Sequence, residues 1–218
     1  MNVELISITK PEIKDLKKAE DLVAYCARVS NPSNQLNVET APKLLKFLIK
    51  HKHWSPFELV DMCVEIKTSR AIAAQILRHR SSSFQEFSQR YSLANEYEDV
   101  ELRLQGDKNR QVGEKLLPTN TDAYDNISHL LAESISLSQH CYDTMIENGV
   151  AKEVARMILP LTTQTTMYMK GSLRSWIHYI ELRTEQNTQK EHREVAERCK
   201  RIFIKEFPII SEALEWNK

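Results

Sequence analysis

The sequence predicts an α+β single domain, mostly helical and packed on a small antiparallel sheet. Three observations carry that expectation. Val3 to Ile8 and Val60 to Lys67 alternate apolar and polar residues with the period of two of a half-buried strand. Several longer segments repeat apolar residues at helical spacing, and 218 residues suit one buried core better than two.

Taken in chain order, Val3 to Ile8 reads as the first strand and Ala41 to Lys50 as an amphipathic helix. In the second strand Val60, Met62, Val64 and Ile66 share one side, with Asp61, Cys63, Glu65 and Lys67 on the other. Thr68 or Ser69 then supplies a helix N-cap. The good helix formers from Arg70 to Leu77 place Arg78 to Arg80 at a helix end. Residues 95–122 are polar and aperiodic, hold Gly106, Gly113 and Pro118, and read as a long loop placed to act as a lid. Ile127, Leu130, Leu131, Ile135, Cys141, Tyr142 and Met145 recur helically up to a stop at Asn148-Gly149. Further helices are expected from Lys152 to Leu159, halted by Pro160, from Gly171 to Arg183, and from Gln189 to Phe207.

Composition narrows the function. Thirty Lys+Arg balance thirty Asp+Glu, so the broad electrostatic attraction of a duplex-binding protein is missing and no nucleic-acid partner is expected. No apolar run is long enough to span a bilayer, and the start, Met1 to Lys10, has no long apolar core of a secretory signal, so a cytoplasmic protein without membrane association is expected. Cys26, Cys63, Cys141 and Cys199 lie far apart without a C-x-x-C pair, which argues against both a zinc cluster and a disulfide framework. The four glycines form neither G-x-G-x-x-G nor a P-loop, so a bound dinucleotide must be held by side chains.

Against that balanced background, Arg78-His79-Arg80-Ser81-Ser82-Ser83-Phe84-Gln85-Glu86-Phe87-Ser88-Gln89-Arg90 concentrates three arginines without a glycine or proline. Phosphate esters are the anions such a cluster suits. Gln75 and Arg78 share a helix face, whereas Arg78 and Arg80 diverge, so two neighbouring anions can be gripped. The plainer alternative is that cations at a helix C-terminus complement its dipole. Ser88 and Arg90 project to one side if their segment is extended, and Glu86 suits a ribose hydroxyl or an arginine. Downstream, Arg174 and His178 share a helix face and Arg183 lies about half a turn away; solvated surface arginines are the alternative. Glu153 and Arg156 read as an i,i+3 surface ion pair. His51-Lys52-His53 lacks a carboxylate or cysteine partner at ligand spacing, so no metal site is expected.

The string Arg78-His79-Arg80, then Ser88 and Arg90 after seven residues, resembles the defining motif of the flavin-dependent thymidylate synthases. His51 to Glu58, Val154-Ala155-Arg156 to Pro160, and Ile180 to Arg183 also match blocks of that family. The resemblance implies an FAD enzyme that methylates C5 of dUMP to dTMP, with methylenetetrahydrofolate as carbon donor and NADPH as reductant. It implies FAD contacts from Ser55, Arg78, His79, Arg80, Glu86, Ser172, Leu173, Arg174 and His178. The dUMP set it implies is Gln75, Arg78, Glu86, Phe87, Ser88, Gln89, Arg90, Arg156 and Arg183, with His53 beside the flavin and folate. It further implies a homotetramer with sites built from several subunits, which suits the opposed faces of Arg174 and Arg183.

The residue types make sense of that chemistry. Uracil C5 is a poor nucleophile, and no cysteine stands in the constellation to activate it by addition at C6. The alternative is a cation that stabilises charge on the pyrimidine as N3 ionises, for which Arg183 is the matching catalytic residue. A guanidinium stays protonated, so Arg183 stabilises an anion rather than acting as base. Ser88 has no Asp/His relay beside it in sequence and reads as a ligand rather than a nucleophile. A nucleotide- or RNA-binding protein without catalysis, and a flavoenzyme using another carbon donor, remain as alternatives.

Overall fold

The computed structural model describes residues 1–216. Strand β1 (Asn2–Ile8) leads into helices α1 (Ala19–Ala27) and α2 (Ala41–Lys50), then strand β2 (Asp61–Ser69), helix α3 (Arg70–Ile76) and strand β3 (Ser83–Glu86). A hairpin of β4 (Arg103–Gln105) and β5 (Gly113–Leu116) precedes the long α4 (Asp122–Glu147) and the single turn α5 (Lys152–Ala155). Strand β6 (Gln164–Ser172), α6 (Leu173–Arg183), α7 (Lys190–Glu206) and α8 (Pro208–Ala213) complete the order. The main sheet runs β1-β2-β6-β3, antiparallel throughout, which bears out the α+β expectation.

The alternation in β2 does what its period requires. Met62, Val64 and Ile66 are fully buried, while Glu65 and Lys67 take the other face. On β6, Met167 and Met169 continue that buried face, and the two strands pair over their whole length, from Asp61 opposite Ser172 to Ser69 opposite Gln164. Against it pack Trp176, Tyr179 and Ile180 of α6, Val195, Cys199 and Phe203 of α7, and Phe57, Leu45 and Val23 from the N-terminal half. The Trp176 indole donates to the Met62 carbonyl at 2.8 Å, so the largest core side chain is also hydrogen-bonded. Because β2 and β6 are antiparallel and each runs straight into a helix, α3 and α6 start at opposite ends of the sheet.

Several sequence expectations are corrected. β6, a central strand, was not foreseen, and neither were α1 and α8. Residues 95–122 are not an aperiodic loop: they carry the β4–β5 hairpin, pinned to α7 by Arg103 to Glu191 and Lys190 to Glu101, each at 2.6 Å. Glu98 also accepts the Ser69 N–H at 2.8 Å, so the segment is anchored at both the sheet and the helix layer. The stop at Gly149 is as expected. Its φ of +76 lets Val150 N–H reach Met145 O and Gly149 N–H reach Ile146 O, closing α4.

Glu20 shows how α1 is tied in. Its side chain is fully buried, Oε1 accepts the Ile210 N–H at 2.8 Å, and Oε2 has no partner among the described residues. Burial pushes its pKa up to about 7, opposed by the backbone donors of Ile210 and Ile209. A carboxyl that holds its proton more tightly folded than unfolded contributes stability below its ordinary value of 4.5 that is lost as pH rises to about 7. Glu20→Gln is therefore expected to gain Tm over the parent on going from about pH 5 to about pH 8. A Tm difference constant across that range would show that Glu20 titrates normally.

Candidate functional site

The arginine motif begins just past α3 rather than within it. The helix ends at Ile76, and tight turns follow: Arg78 N–H donates to Gln75 O at 3.3 Å, His79 N–H to Ile76 O at 3.0 Å, and Ser82 N–H to His79 O at 3.1 Å. This path exposes Arg78 and Arg80 and buries the His79 between them, its ring edge-on to Tyr179 at 4.8 Å. One inward residue thus fixes two outward cations.

After the turns, β3 pairs with β6, with Glu86 opposite Met167. Glu86 reinforces an arginine, one the sequence reading did not single out: Arg70 Nη1 donates to it at 3.0 Å and the Thr165 hydroxyl at 3.0 Å, while Arg70 Nη2 donates to Phe87 O at 3.1 Å. Ser88 and Arg90 do not continue as a strand. Tyr91 N–H turns back to Ser88 O, and Ser88 Oγ accepts the Arg90 N–H. The expected Glu153–Arg156 pair is also replaced: Glu153 takes Arg90 at 3.1 Å, which docks the end of the motif on α5, just before Arg156. Gln89 is buried with its Nε2 unpartnered among the described residues, a donor left available for a ligand. Phe87 is half-buried at the same turn.

Helix α6 presents two faces to two environments. Arg174, His178 and Glu181 line a cleft of about 560 Å³ with Lys52, Trp54, Glu58, Ser81 and Ile177. That size, with its mixed aromatic, apolar and cationic lining, falls in the range of small-molecule sites. Ser81 joins the cleft directly to the arginine motif. Arg174 Nη1 donates to Glu58 Oε1 at 2.8 Å, and Glu58 Oε2 accepts the Ser172 hydroxyl, which caps α6. Leu173 points into the core, and its N–H is engaged by Val60 O. Ser55 and His53 are exposed at the rim, His53 in a ring cluster with Phe47 and His51. Among the described residues no group of three or more His, Cys, Asp or Glu is placed to hold a metal.

Arg183 turns the other way. Its Nε–H donates to His79 Nε2 at 2.9 Å. Burial first, then the charge of Arg183, lowers the His79 pKa to about 4. His192, fully buried on α7 and likewise lowered to about 3 mainly by burial, lies 3.2 Å through Nδ1 from Gln75 Oε1. Gln75 Nε2 in turn donates to Gln189 Oε1 at 2.7 Å. Arg78, Arg80, Arg156 and Arg183 form no ion pair among the described residues, in contrast to Arg70, Arg90 and Arg174. Gln75, His79 and Arg183 are therefore brought together from distant parts of the chain, as are Ser81, Arg174 and His178. Sequence reasoning missed Arg70, Glu58 and His192, whose partners lie across the sheet or on other elements.

The described residues thus combine guanidinium groups that form no ion pair with a partly apolar cleft, side chains of the kinds that suit anionic, ring-bearing ligands. Residues 12–209 match the family profile of the thymidylate synthase complementing protein. The chain is 53% identical over 219 residues to the flavin-dependent thymidylate synthase of a Synechocystis strain, covering 99% of this chain and 100% of that one. It is 52% identical, with the same coverage, to a probable flavin-dependent thymidylate synthase of Paramecium bursaria Chlorella virus 1. In fold it is similar to the crystal structure of a UMP/dUMP methylase, PolB from Streptomyces cacaoi bound with 5-Br dUMP, with a TM-score of 0.81 at 24% identity over 98% of this chain and 94% of that chain. The chain belongs to the flavin-dependent thymidylate synthase family.

Proposed function

We propose that the chain catalyses the reductive methylation of dUMP at C5 to dTMP in the cytoplasm, with FAD as hydride carrier, NADPH as reductant and methylenetetrahydrofolate as carbon donor. The observation that carries this reading is Arg183, a guanidinium with no carboxylate partner among the described residues, held on a neutral imidazole. A cation so placed stabilises the charge that develops on a pyrimidine when N3 loses its proton, and that charge raises electron density at C5. Arg183 keeps its own proton throughout and serves as the counter-charge, not the base.

The remaining residues divide by the two environments of α6. The cleft with Arg174, His178, Ser81 and Trp54 suits the flavin: Arg174 matches a pyrophosphate, and Trp54 and Ile177 supply the apolar walls. Ser55 and Arg80 adjoin the lining residues Trp54 and Ser81 in the chain, with His53 at the rim, while Arg78 and Glu86 belong to the same motif, Glu86 held by Arg70 at the α3 end of the sheet. When bound, FAD supplies the hydride that completes the methyl group. Arg78, Arg90 and Arg156 are the phosphate and ribose candidates for dUMP, with Gln75, Phe87, Ser88 and Gln89 ordering its approach. A homotetramer is supported by α4, whose 26 residues bury only Tyr142, and by the exposure of Leu130, Leu137, Met157 and Leu161.

Tritium release from dUMP labelled at C5 tests the reading, in complete mixtures and in ones lacking FAD, NADPH or methylenetetrahydrofolate in turn. Release that requires all three is the expected result. No release from flavin-loaded protein would redirect the assignment to another substrate, and release with a product of different mass would change the carbon donor.

A further inference from the structure

We propose that His79 is the positioning residue of Arg183, anchoring its Nε–H so that the opposite, Nη1–Nη2 edge of the guanidinium faces the pyrimidine. The inference rests on the proposed function for the identity of that ligand, but its geometry is independent of it. A guanidinium has only donors. The 2.9 Å contact with His79 Nε2 therefore requires that nitrogen to be unprotonated, which fixes His79 as the neutral tautomer with its proton on Nδ1. This is the one hydrogen bond that Arg183 makes through its side chain among the described residues.

The surroundings explain why an imidazole stands there. A carboxylate at the same point would hold the arginine as firmly but would neutralise the charge needed on the substrate. A neutral acceptor orients the cation and leaves it whole. His79 is itself immobilised: it is buried, its ring packs edge-on against Tyr179 at 4.8 Å, and its backbone closes two successive turns. The other titratable groups near it are Arg183, His178, His192 and the Tyr179 phenol, which burial holds in its protonated form, and none of them is a carboxylate. His79 therefore keeps its acceptor nitrogen free at working pH. The resemblance to the family places this residue among the flavin contacts; the inward orientation gives it a separate task toward the substrate.

The test compares His79→Leu, which fills the space without an acceptor, with His79→Gln, which returns an acceptor oxygen. Each flavin-loaded protein is titrated with pH while the ultraviolet difference spectrum of bound 5-fluoro-dUMP reports ionisation at N3. The wild type and His79→Gln are expected to lower the N3 pKa of the bound nucleotide relative to free nucleotide. His79→Leu is expected to lose most of that shift and at least ~tenfold in kcat at similar KM, as for a lost hydrogen bond to a charged group. Equal ionisation in wild type and His79→Leu overturns the inference, as does a loss of activity that only tracks lost flavin absorbance. Should His79→Leu not fold, His79→Met takes its place. Wild type that binds no nucleotide would instead overturn the proposed function, and this inference with it.

Discussion

Arg183→Ala is expected to lower turnover by ~10²–10³-fold or more while leaving flavin content close to that of the parent. The reason is the division of α6. Arg183 lies on the side of the helix that meets His79, whereas the proposed flavin cleft is lined by Arg174, His178 and Glu181. Among the described residues, removal of Arg183 takes away the only cation held on that imidazole and breaks no ion pair, so the fold has little reason to suffer. Arg183→Lys should recover little, because an ammonium on a flexible stem cannot both donate to His79 and present a planar pair of donors. The measurement is kcat for C5 tritium release normalised to flavin absorbance. Wild-type-like turnover in Arg183→Ala would remove this residue from the chemistry.

How much of this was legible in the sequence depends on how local the signal is. The arginine motif, the β2 alternation and the Gly149 stop are encoded within a few residues and appear where expected. β6 was missed because its inward residues are threonine, methionine and glycine, which spell a weak period of two, and because Ser172-Leu173 reads equally well as a helix start. The partners within the site are non-local. Arg70 meets Glu86 only after β3 has paired with β6, and Glu153 finds Arg90 in preference to its i,i+3 neighbour because the turn at Ser88 delivers that arginine across the surface. α1 escaped notice for the same reason: inward Glu20 breaks an apolar stripe, and its donor is 190 residues away.

Arg174→Ala is expected to cost ~10–100-fold in FAD affinity, the loss of one charge-assisted contact to a phosphate. The pair it forms in this structure, with Glu58, is about half exposed on both sides, and such pairs contribute ~0–1 kcal/mol. Arg174 can therefore leave Glu58 for a pyrophosphate at small cost, and its removal should barely move Tm. Flavin loss would then reflect the site and not unfolding. The substitution also has a second consequence, because Glu58 loses its cation and leaves a carboxylate in the cleft where an anion must bind. Glu58→Gln added to Arg174→Ala should restore part of the affinity, since the amide still accepts from Ser172 without repelling phosphate. Flavin titration of the two proteins separates these effects. Recovery in the double variant assigns part of the loss to the freed carboxylate, identical affinities assign all of it to the missing guanidinium, and full flavin retention in Arg174→Ala alone would move the cofactor out of this cleft.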